Sequence, residues 1–289
     1  MAIYYWHNQG RLGNLLFQYA AIEHLTNIDD VIVCFDNDVF KIIHVKRNFI
    51  RIPNVGILGR LLNLIFNNLI DFLVKFRVFS GVSPEVVSVF GEYKDESREV
   101  FKSIGFFHRL IQIKGFFQHD EWVISDLEIK KNILCNAKEK LDLISPSVCR
   151  VSVHIRLTDY KDWVVLGKED ATISISWYVD AMKLMAERLD NPVFIFFTDD
   201  IKAVMGLNFD TAPIFFNGNN AIEDMAAMSI CEHAIISPST FAYCGVLAFN
   251  ELDKIVIAPK YWAGFKSKLW SPSSIKTKLI HYLEVNYEE

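Results

Sequence analysis

An imidazole and a guanidinium stand two positions apart at the end of the β-branched run 150–156. If this run is a strand, His154 and Arg156 share one face and emerge together at its carboxyl end, because alternate strand residues point the same way. An arginine fork holds a diphosphate through paired N–H groups and stabilises it as a leaving group without a metal. The alternative is that Arg156 forms a surface ion pair with Asp159, three residues on.

Two other places put polar side chains directly after an apolar run. Ser239 and Thr240 open a helical pattern, so their hydroxyls and the free N–H groups of a helix start predict a phosphate contact, with a plain helix cap as the alternative. Asp199 and Asp200 also follow an apolar run. These carboxylates predict binding of a ribose, a guanine edge or a metal, or alternatively a cap on the next helix.

Two glycines shape the turn 6–14 near the N-terminus. Gly10 and Gly13 let the backbone turn sharply after an apolar run and approach a ligand, while the helix that follows offers N–H groups to an anion. The spacing is not G-x-G-x-x-G and the Walker lysine is absent, so neither a dinucleotide fingerprint nor a P-loop is predicted. A tight turn without a ligand is the alternative.

An Asp-x-Asp pattern, Asp36 and Asp38, follows the apolar run 31–35. Two carboxylates at this spacing can share a divalent ion with a diphosphate, as metal-dependent transferases require. The pattern also arises by chance in loops. We therefore expect no metal site and keep a metal-dependent transferase as the rival interpretation.

These residues must be positioned by an α/β fold. Short β-branched or aromatic runs alternate with longer amphipathic stretches, which predicts parallel sheets covered by helices. The regular succession from residue 150 to about 260 predicts a doubly wound second lobe with ligands at its strand ends. Pro and Ser within 143–147 break a helix and predict domains at 1–145 and 146–289. The predicted strands lie at residues 2–6, 31–35, 111–117, 150–156, 192–200, 212–216, 233–237 and 254–259.

Composition excludes several classes of protein. The chain has 289 residues, 51% of them hydrophobic, enough for two packed lobes. Its net charge of −5 creates no field that attracts a polyanion, so we expect no nucleic acid partner. Five scattered cysteines without Cys-x-x-Cys predict neither disulfides nor zinc. The first residues lack the pattern of a secretory signal, and a cytoplasmic location is expected.

The segment 55–79 is rich in Leu, Ile and Phe, with apolar residues at the three-and-four spacing of one helical face. Polar and charged residues interrupt it, so we expect that it does not cross a bilayer. The favoured prediction is a helix packed on its own core. The alternative is a peripheral contact with a partner or with the inner face of a membrane.

The motifs together resemble those of one enzyme family. Four segments occur in the order found in glycosyltransferase family eleven, the bacterial and animal α-1,2-fucosyltransferases, and a fifth is similar to a short motif of that family. The resemblance spans residues 4 to about 262. The segments are GRLGNLLFQYA (10–20), VHIRLTDY (153–160), FFTDD (196–200) and DMAAMSICEHAIISPSTFAYCG (224–245), with GFFQHDEWV (115–123) as the fifth.

The resemblance implies a GT-B-type fold with two Rossmann-like lobes, an acceptor-side lobe followed by a GDP-fucose-binding lobe. It implies an inverting transfer of L-fucose from GDP-fucose to the 2-hydroxyl of a galactose acceptor, with no cofactor and no essential metal. The acceptor would be a glycan or a lipid-linked oligosaccharide in surface polysaccharide or oligosaccharide synthesis. An enzyme of this kind is a galactoside α-1,2-fucosyltransferase.

The resemblance also implies roles for single residues. Arg156 would hold the β-phosphate and stabilise departing GDP, and Asp159 is the candidate base for the acceptor hydroxyl, although it could instead orient the arginine. The other donor-binding residues fall into groups by what they would contact. His154 and Asp224 would lie near the guanine. Ser239, Thr240 and Phe241 would line the phosphate and fucose side. Gly13 and Asn14 would close the pocket from the first lobe, and Asp199 is the remaining donor-binding residue.

The chain departs from the family pattern in three places. Leu157 and Thr158 stand where a second arginine and a glycine are usual, which places more weight on the first arginine. Arg11 replaces a usual glycine, and Tyr243 and Cys244 replace two tryptophans. The departures leave a non-catalytic sugar-nucleotide-binding protein as a further alternative and bear on the identity of the acceptor.

Overall fold

Two six-stranded β-sheets, one in each part of the chain, organise the fold in the computed structural model. The structure describes residues 1–90, 93–123, 127–146, 149–207, 209, 212–249 and 253–286. The chain divides into two units, Met1–Trp122 and Val123–Glu289. Each unit is an α/β domain with a largely parallel sheet, which confirms the predicted GT-B-type architecture of two Rossmann-like lobes.

The sheet of the first unit has the strand order β3-β2-β1-β6-β4-β5. All neighbouring strands are parallel except β4 and β5, which pair antiparallel as a long hairpin that the sequence patterns did not predict. The elements are β1 (Ile3–Trp6), α1 (Leu12–Leu25), β2 (Val31–Phe35), α2 (Val39–Ile42), β3 (Asn48–Ile52), α3 (Gly56–Lys75), β4 (Phe79–Phe90), β5 (Tyr93–Ser103), β6 (Phe107–Ile113) and α4 (Asp120–Val123).

The sheet of the second unit is parallel throughout, with the strand order β12-β11-β10-β7-β8-β9. Two short 3-10 turns precede the last strand. The elements are α5 (Lys131–Ile144), β7 (Arg150–Ile155), α6 (Ile175–Ala186), β8 (Val193–Thr198), α7 (Ile201–Met205), β9 (Ile214–Phe215), α8 (Ala221–Ile230), β10 (His233–Ile236), α9 (Thr240–Leu247), β11 (Val256–Pro259) and β12 (His281–Leu283).

The central strand β7 is buried along its whole length. Val151, Val153 and Ile155 pack with Trp177 and Tyr178 of α6 in one apolar cluster. Arg150, Ser152 and His154 alternate with these apolar residues and are buried as well, each with a hydrogen-bond partner. The β-branched residues of the run 150–155 predicted this strand correctly.

The boundary between the two units lies between Trp122 and Val123, whereas the sequence predicted it at residue 145. Helix α5 belongs to the second unit because it packs against α8. Its Ala137 and Leu141 are fully buried, and Lys140 Nζ lies 2.5 Å from Glu223 Oε2 of α8. The Pro and Ser break after α5 thus ends a helix without separating two domains; Ser147 of that break lies outside the described residues.

Helix α3 does not pack on its own core, so the favoured prediction for segment 55–79 was wrong. Of its residues, only Gly59 and Ile70 are buried. Within the described part of the chain, α3 is the helix whose length and composition would suffice to cross a membrane, and 6% of its apolar window is buried. The three-and-four periodicity established an apolar face but carried no information on which way that face turns.

Candidate functional site

The strand order of the second unit reverses between β7 and β10. From β7 the chain continues to β8 and β9 on one side, while β10 is followed by β11 and β12 on the other. In open parallel sheets, ligands bind outside the carboxyl ends of the strands at such a switch point. The candidate site therefore lies where the chain leaves β7 at Arg156 and leaves β10 at Ser237.

Arg156 lies between two carboxylates. Its Nε and one terminal nitrogen donate to the two oxygens of Asp159 at 2.7 and 2.9 Å, and Nε lies 3.2 Å from Asp199 Oδ2. The predicted ion pair with Asp159 therefore exists. A guanidinium carries five N–H groups, and this pairing uses two of them. Among the residues that the structure describes, the other three N–H groups of this four-fifths-buried arginine have no hydrogen-bond partner.

The adjacent carboxylates Asp199 and Asp200 make different contacts, and only the capping role predicted for them is observed, at Asp200. Asp200 caps α7 by accepting a hydrogen bond from Ala203 N at 3.0 Å. Asp199 instead accepts from the backbone N–H groups of Leu157 and Thr158 at 3.0 and 3.2 Å, and from the Thr158 hydroxyl.

Burial opposes ionisation of Asp199, but the hydrogen bonds from Thr158 and Leu157 and the charge of Arg156 outweigh it and lower the pKa of this carboxyl. Asp199 is therefore a stable anion that fixes both the loop after β7 and the arginine. These contacts hold Asp199 beside both the loop after β7 and the guanidinium of Arg156.

His154 is buried beneath the switch point, with 5% of its surface exposed. Its Nδ1 lies 2.8 Å from the Ser237 hydroxyl at the end of β10, and its ring lies 5.9 Å from that of Phe241. Burial, assisted by the nearby charge of Arg156, lowers the pKa of His154 to about 4. A neutral imidazole therefore joins the ends of β7 and β10 and supports the start of α9.

The N-terminus of α9 faces the same edge of the sheet. Ser239 is the N-cap residue and makes no side-chain capping bond, and the Tyr160 hydroxyl donates to Pro238 O at 2.7 Å. The first-turn N–H groups, including those of Thr240 and Phe241, have no partner within the helix, and such groups bind anions. The phosphate contact at Ser239 and Thr240 stays a prediction, for which the backbone N–H groups of α9 are available.

Asp224 lies in the first turn of α8, next to a glycine that cannot be replaced without a clash. A Cβ added at Gly218 would lie 2.0 Å from Asp224 Oδ1 and 3.1 Å from Phe216 Cε1. Burial, with a contribution from the charge of Glu223, raises the pKa of Asp224 to about 6, although the N–H of Gly218 donates to the carboxylate. The carboxyl group is thus half ionised about two pH units above the ordinary range of an aspartate, and it is mostly ionised at pH 7.

The predicted N-terminal residues lie in the first unit, at the start of α1. Gly10 has φ +83°, and a Cβ there would lie 2.6 Å from Asn14 Nδ2, so the turn requires glycine. Asn14 Oδ1 accepts from Gln118 Nε2 at 3.2 Å, which brings the motif 10–20 together with the motif 115–123. Gly13 is buried within the first turn of the helix.

A polar cluster at the carboxyl end of β1 was not singled out from the sequence. His7 Nδ1 lies 3.4 Å from Asp71 Oδ1 and 3.3 Å from Gln112 Nε2, and Lys114 Nζ lies 2.7 Å from Asp71 Oδ2. Burial, followed by the charge of Lys114, lowers the pKa of His7 despite the opposing effect of Asp71. The available signal was a histidine directly after a strand; its partners come from α3 and β6.

The residues that depart from the family pattern lie partly in the interior and partly on the surface. Leu157 packs against the apolar cluster of the second unit. Tyr243 and Cys244 are completely buried within α9, where the Tyr243 ring lies 5.9 Å from that of Trp262. Tyr243 and Cys244 therefore lie in the interior of the second unit, whereas Leu157 is only partly buried. Arg11 is the exposed N-cap residue of α1.

The Asp-x-Asp pattern does not form a cluster of metal ligands. Asp36 pairs with Arg51 at 3.5 Å and Asp38 with Lys41 at 2.8 Å. Each carboxylate thus has a cation of its own. Across the described ranges, no group of three or more His, Cys, Asp and Glu side chains has a geometry that could hold a metal.

Sequence comparison identifies the family. The sequence profile of Glycosyl transferase family 11 matches residues 89–276, well over half of the chain. The chain belongs to this family. The resemblance drawn from the five sequence motifs is therefore confirmed, and the protein is a glycosyltransferase.

Two relatives come from Escherichia coli. One is an alpha-1,2-colitosyltransferase, 28% identical over 277 residues, a match that covers 88% of this chain and 90% of the relative. The other is the O-antigen biosynthesis glycosyltransferase WbnK, 28% identical over 168 residues, covering 54% of this chain and 55% of the relative. Among solved structures, a glycosyl transferase family 9 protein from Veillonella parvula DSM 2008 shares the fold with a TM-score of 0.56 at 12% identity, covering 98% of this chain and 86% of the other.

The structure gathers some of the predicted site residues and separates others. Arg156, Asp159 and Asp199 form one ion-paired group, and His154 joins the start of α9 with Ser239, Thr240 and Phe241. Asp224 stands apart on α8, while Gly13 and Asn14 lie in the first unit. Ser237, Tyr160 and Gly218 were not singled out, because their importance comes from contacts with residues far away in the chain.

Proposed function

We propose that this family 11 enzyme transfers L-fucose from GDP-fucose to the 2-hydroxyl of a galactose residue, with inversion at the anomeric carbon. The observation that carries the proposal is Arg156, which keeps three N–H groups for a ligand at the switch point where the uncapped α9 begins. A guanidinium and a helix N-terminus together suit a diphosphate. The lobe that contains them would be the GDP-fucose-binding lobe, and the first unit the acceptor-side lobe.

The mechanism we propose is a single displacement. Arg156 and the N–H groups of Thr240 and Phe241 would hold the diphosphate and stabilise the charge that develops as GDP departs. Asp199 and Asp159 keep the arginine oriented, and a fixed geometry reduces the reorganisation needed during the reaction. His154 would act beneath the site by supporting the start of α9, while Asp224 is proposed to contact the guanine.

Two side chains are candidates for the base that takes the acceptor proton. Asp159 has both oxygens bonded to Arg156, which makes it a weaker proton acceptor and suits an orienting role. His7 of the first unit is held neutral by burial and by Lys114, beside Asp71, at the carboxyl end of a parallel strand. A neutral imidazole can accept a proton near neutral pH, so we propose His7 as the second candidate.

The names of the relatives support the donor and acceptor classes and add a second candidate. The match to an alpha-1,2-colitosyltransferase over 88% of the chain supports a 1,2-linkage and favours GDP-colitose as the alternative donor. Colitose is the 3-deoxy form of L-fucose, so the two donors differ by one hydroxyl group. The relative named for O-antigen biosynthesis supports a glycan or lipid-linked oligosaccharide acceptor.

The function is tested by measuring GDP release from GDP-fucose with a panel of galactose-terminated acceptors, in excess EDTA. We expect acceptor-dependent GDP release and a product whose new linkage is to the 2-hydroxyl. GDP-colitose in parallel decides between the two donors by the ratio of kcat/KM.

Three outcomes would contradict the proposal. Activity abolished by EDTA and restored by manganese would favour the metal-dependent alternative built on Asp36 and Asp38. Tight GDP-fucose binding without release for any acceptor would favour a binding protein. A preference for GDP-colitose would reassign the donor while leaving the diphosphate site as described.

A further inference from the structure

Helix α3 turns its polar side towards the protein. Asn67 Oδ1 accepts a hydrogen bond from the Tyr5 hydroxyl of β1 at 2.6 Å. One turn later, Asp71 pairs with Lys114 at 2.7 Å and accepts from Gln112 Nε2 at 2.7 Å. A helix on the surface of a soluble protein normally buries its apolar side and exposes its polar side. Apart from the buried Ile70 and from Phe66, whose ring lies 6.0 Å from that of Phe35, the contacts of α3 are the reverse of this arrangement.

The outward side of α3 is apolar. At 100° per residue, the six most central of its exposed side chains fall within about 120° of the helix circumference. Nine Leu, Ile and Phe residues of α3 are exposed, which at roughly 100 Å² each gives roughly 900 Å², well above the 300–600 Å² typical of the largest apolar patch on a monomer. The six are Ile57 (87% exposed), Leu58 (68%), Leu61 (50%), Ile65 (51%), Leu69 (49%) and Phe72 (56%).

The connection between β5 and β6 extends this apolar surface at the C-terminal end of α3. The N–H of Phe106 donates to Arg77 O at 2.8 Å, which fixes the connection beside the end of the helix. Phe106 and Ile104 are 81% and 77% exposed, and the rings of Phe106 and Phe107 contact each other at 4.9 Å. We call residues 55–79 and 101–109 together the α3 surface.

The α3 surface is positively charged on an acidic protein. It contains five Lys and Arg residues and one acidic residue, Asp71, a net charge of +4, whereas the whole chain carries −5. All five cations are exposed, and Asp71 forms an ion pair with Lys114. The cations are Arg60, Lys75, Arg77, Lys102 and Arg109. Two copies of this surface placed face to face would repel each other, which disfavours a dimer through α3.

We propose that the α3 surface docks on a membrane that contains anionic lipids, with α3 lying in the plane of the headgroups. Apolar and aromatic side chains would enter the boundary between headgroups and acyl chains, and the basic residues would meet the lipid phosphates. The helix lies on the membrane and does not cross it, because Asn67 and Asp71 hold its polar side against the sheet.

The test is co-sedimentation of the full chain with vesicles of phosphatidylcholine alone, or with about one third phosphatidylglycerol. We expect the anionic vesicles to bind at least about tenfold more strongly, since each surface cation adds to the attraction. Two double variants of the α3 surface should each weaken this binding at least about tenfold: the charge variant Lys75→Glu/Arg77→Glu and the apolar variant Leu61→Ser/Ile65→Ser. The matched controls alter exposed residues of α5, which do not meet the vesicle. The variants Lys131→Glu/Lys138→Glu and Leu143→Ser should therefore change vesicle binding less than about twofold.

Equal binding of the unmodified protein to both kinds of vesicle would overturn the proposal without any variant. A dimer in light scattering that Leu61→Ser/Ile65→Ser dissolves would overturn it too and assign the α3 surface to a second copy of the chain. Thermal unfolding of each variant should match the parent, since every altered residue is exposed. The assay contains no sugar nucleotide, so its result is independent of the proposed transferase activity.

Discussion

Replacing Arg156 by alanine removes the cation that we place on the departing diphosphate. Two of its five N–H groups are used by Asp159, which leaves three for the ligand. Two charge-assisted bonds to phosphate oxygens at roughly 1.5–3 kcal/mol each amount to roughly 3–6 kcal/mol. Only the part realised in the transition state lowers the barrier, and about 2.7 kcal/mol of it corresponds to a hundredfold change in rate. We therefore expect Arg156→Ala to lower kcat at least about a hundredfold.

The assay is the steady-state rate of GDP release, with kcat and KM for GDP-fucose measured separately. Arg156→Lys keeps the charge but loses the planar fork, so its kcat should lie between those of the parent and the alanine variant. Arg51→Ala removes an arginine from an exposed ion pair with Asp36 and is the matched control, expected within about threefold of the parent. Asp159→Asn should lower kcat by about tenfold if Asp159 orients Arg156, and far more if it is the base.

Loss of folding would not account for the expected result. Asp159 is 48% exposed and is solvated by water when the arginine is removed. Asp199 keeps the N–H groups of Leu157 and Thr158, so the destabilisation should stay below about 2 kcal/mol. An Arg156→Ala variant that folds and keeps more than half of the parent kcat would refute the role of Arg156.

Two further predictions concern the region around Asp224. Its pKa of about 6 lies above the ordinary value of 3.8, so the stability it contributes is complete below pH 3.8 and is lost as the pH rises through 6. Asp224→Asn should therefore be more stable than the parent by on the order of 2 kcal/mol at pH 7.5 and equal to it near pH 4, and a gap in chemical denaturation that does not change with pH would contradict this. Gly218→Ala should lower stability by about 1–3 kcal/mol and raise the KM for GDP-fucose, because its Cβ would displace Asp224. Gly206→Ala, whose Cβ would meet backbone oxygens at 3.4 and 3.7 Å, should stay within about 0.5 kcal/mol of the parent, and equal effects of the two changes would contradict the steric argument.

Much of the fold follows from local patterns. The apolar runs that became β1, β2, β8 and β10 were recognisable because buried parallel strands are apolar on both faces, and β7 was recognisable by its alternating β-branched residues. The β4–β5 hairpin was missed, since most of its residues are polar or alternate irregularly. The predicted domain boundary differs from the observed one because a helix break is a local signal, whereas the domain to which α5 belongs is decided by its contacts with α8.

The sequence alone determined which chemical groups are present and to which family the chain belongs. The order of the motifs was sufficient for the family, and the position of Arg156 at a strand end was sufficient to single it out. Both can be recognised from short segments of sequence, without knowledge of the fold.

Only the tertiary structure decided what those groups contact. His154 meets Ser237 across 83 residues of sequence, and Asp199 meets Thr158 across 41. The same holds for α3, whose apolar face was evident from its spacing while its outward orientation was not. Contacts of this kind depend on strand order, register and helix packing, which set the distances between residues that are remote in the chain.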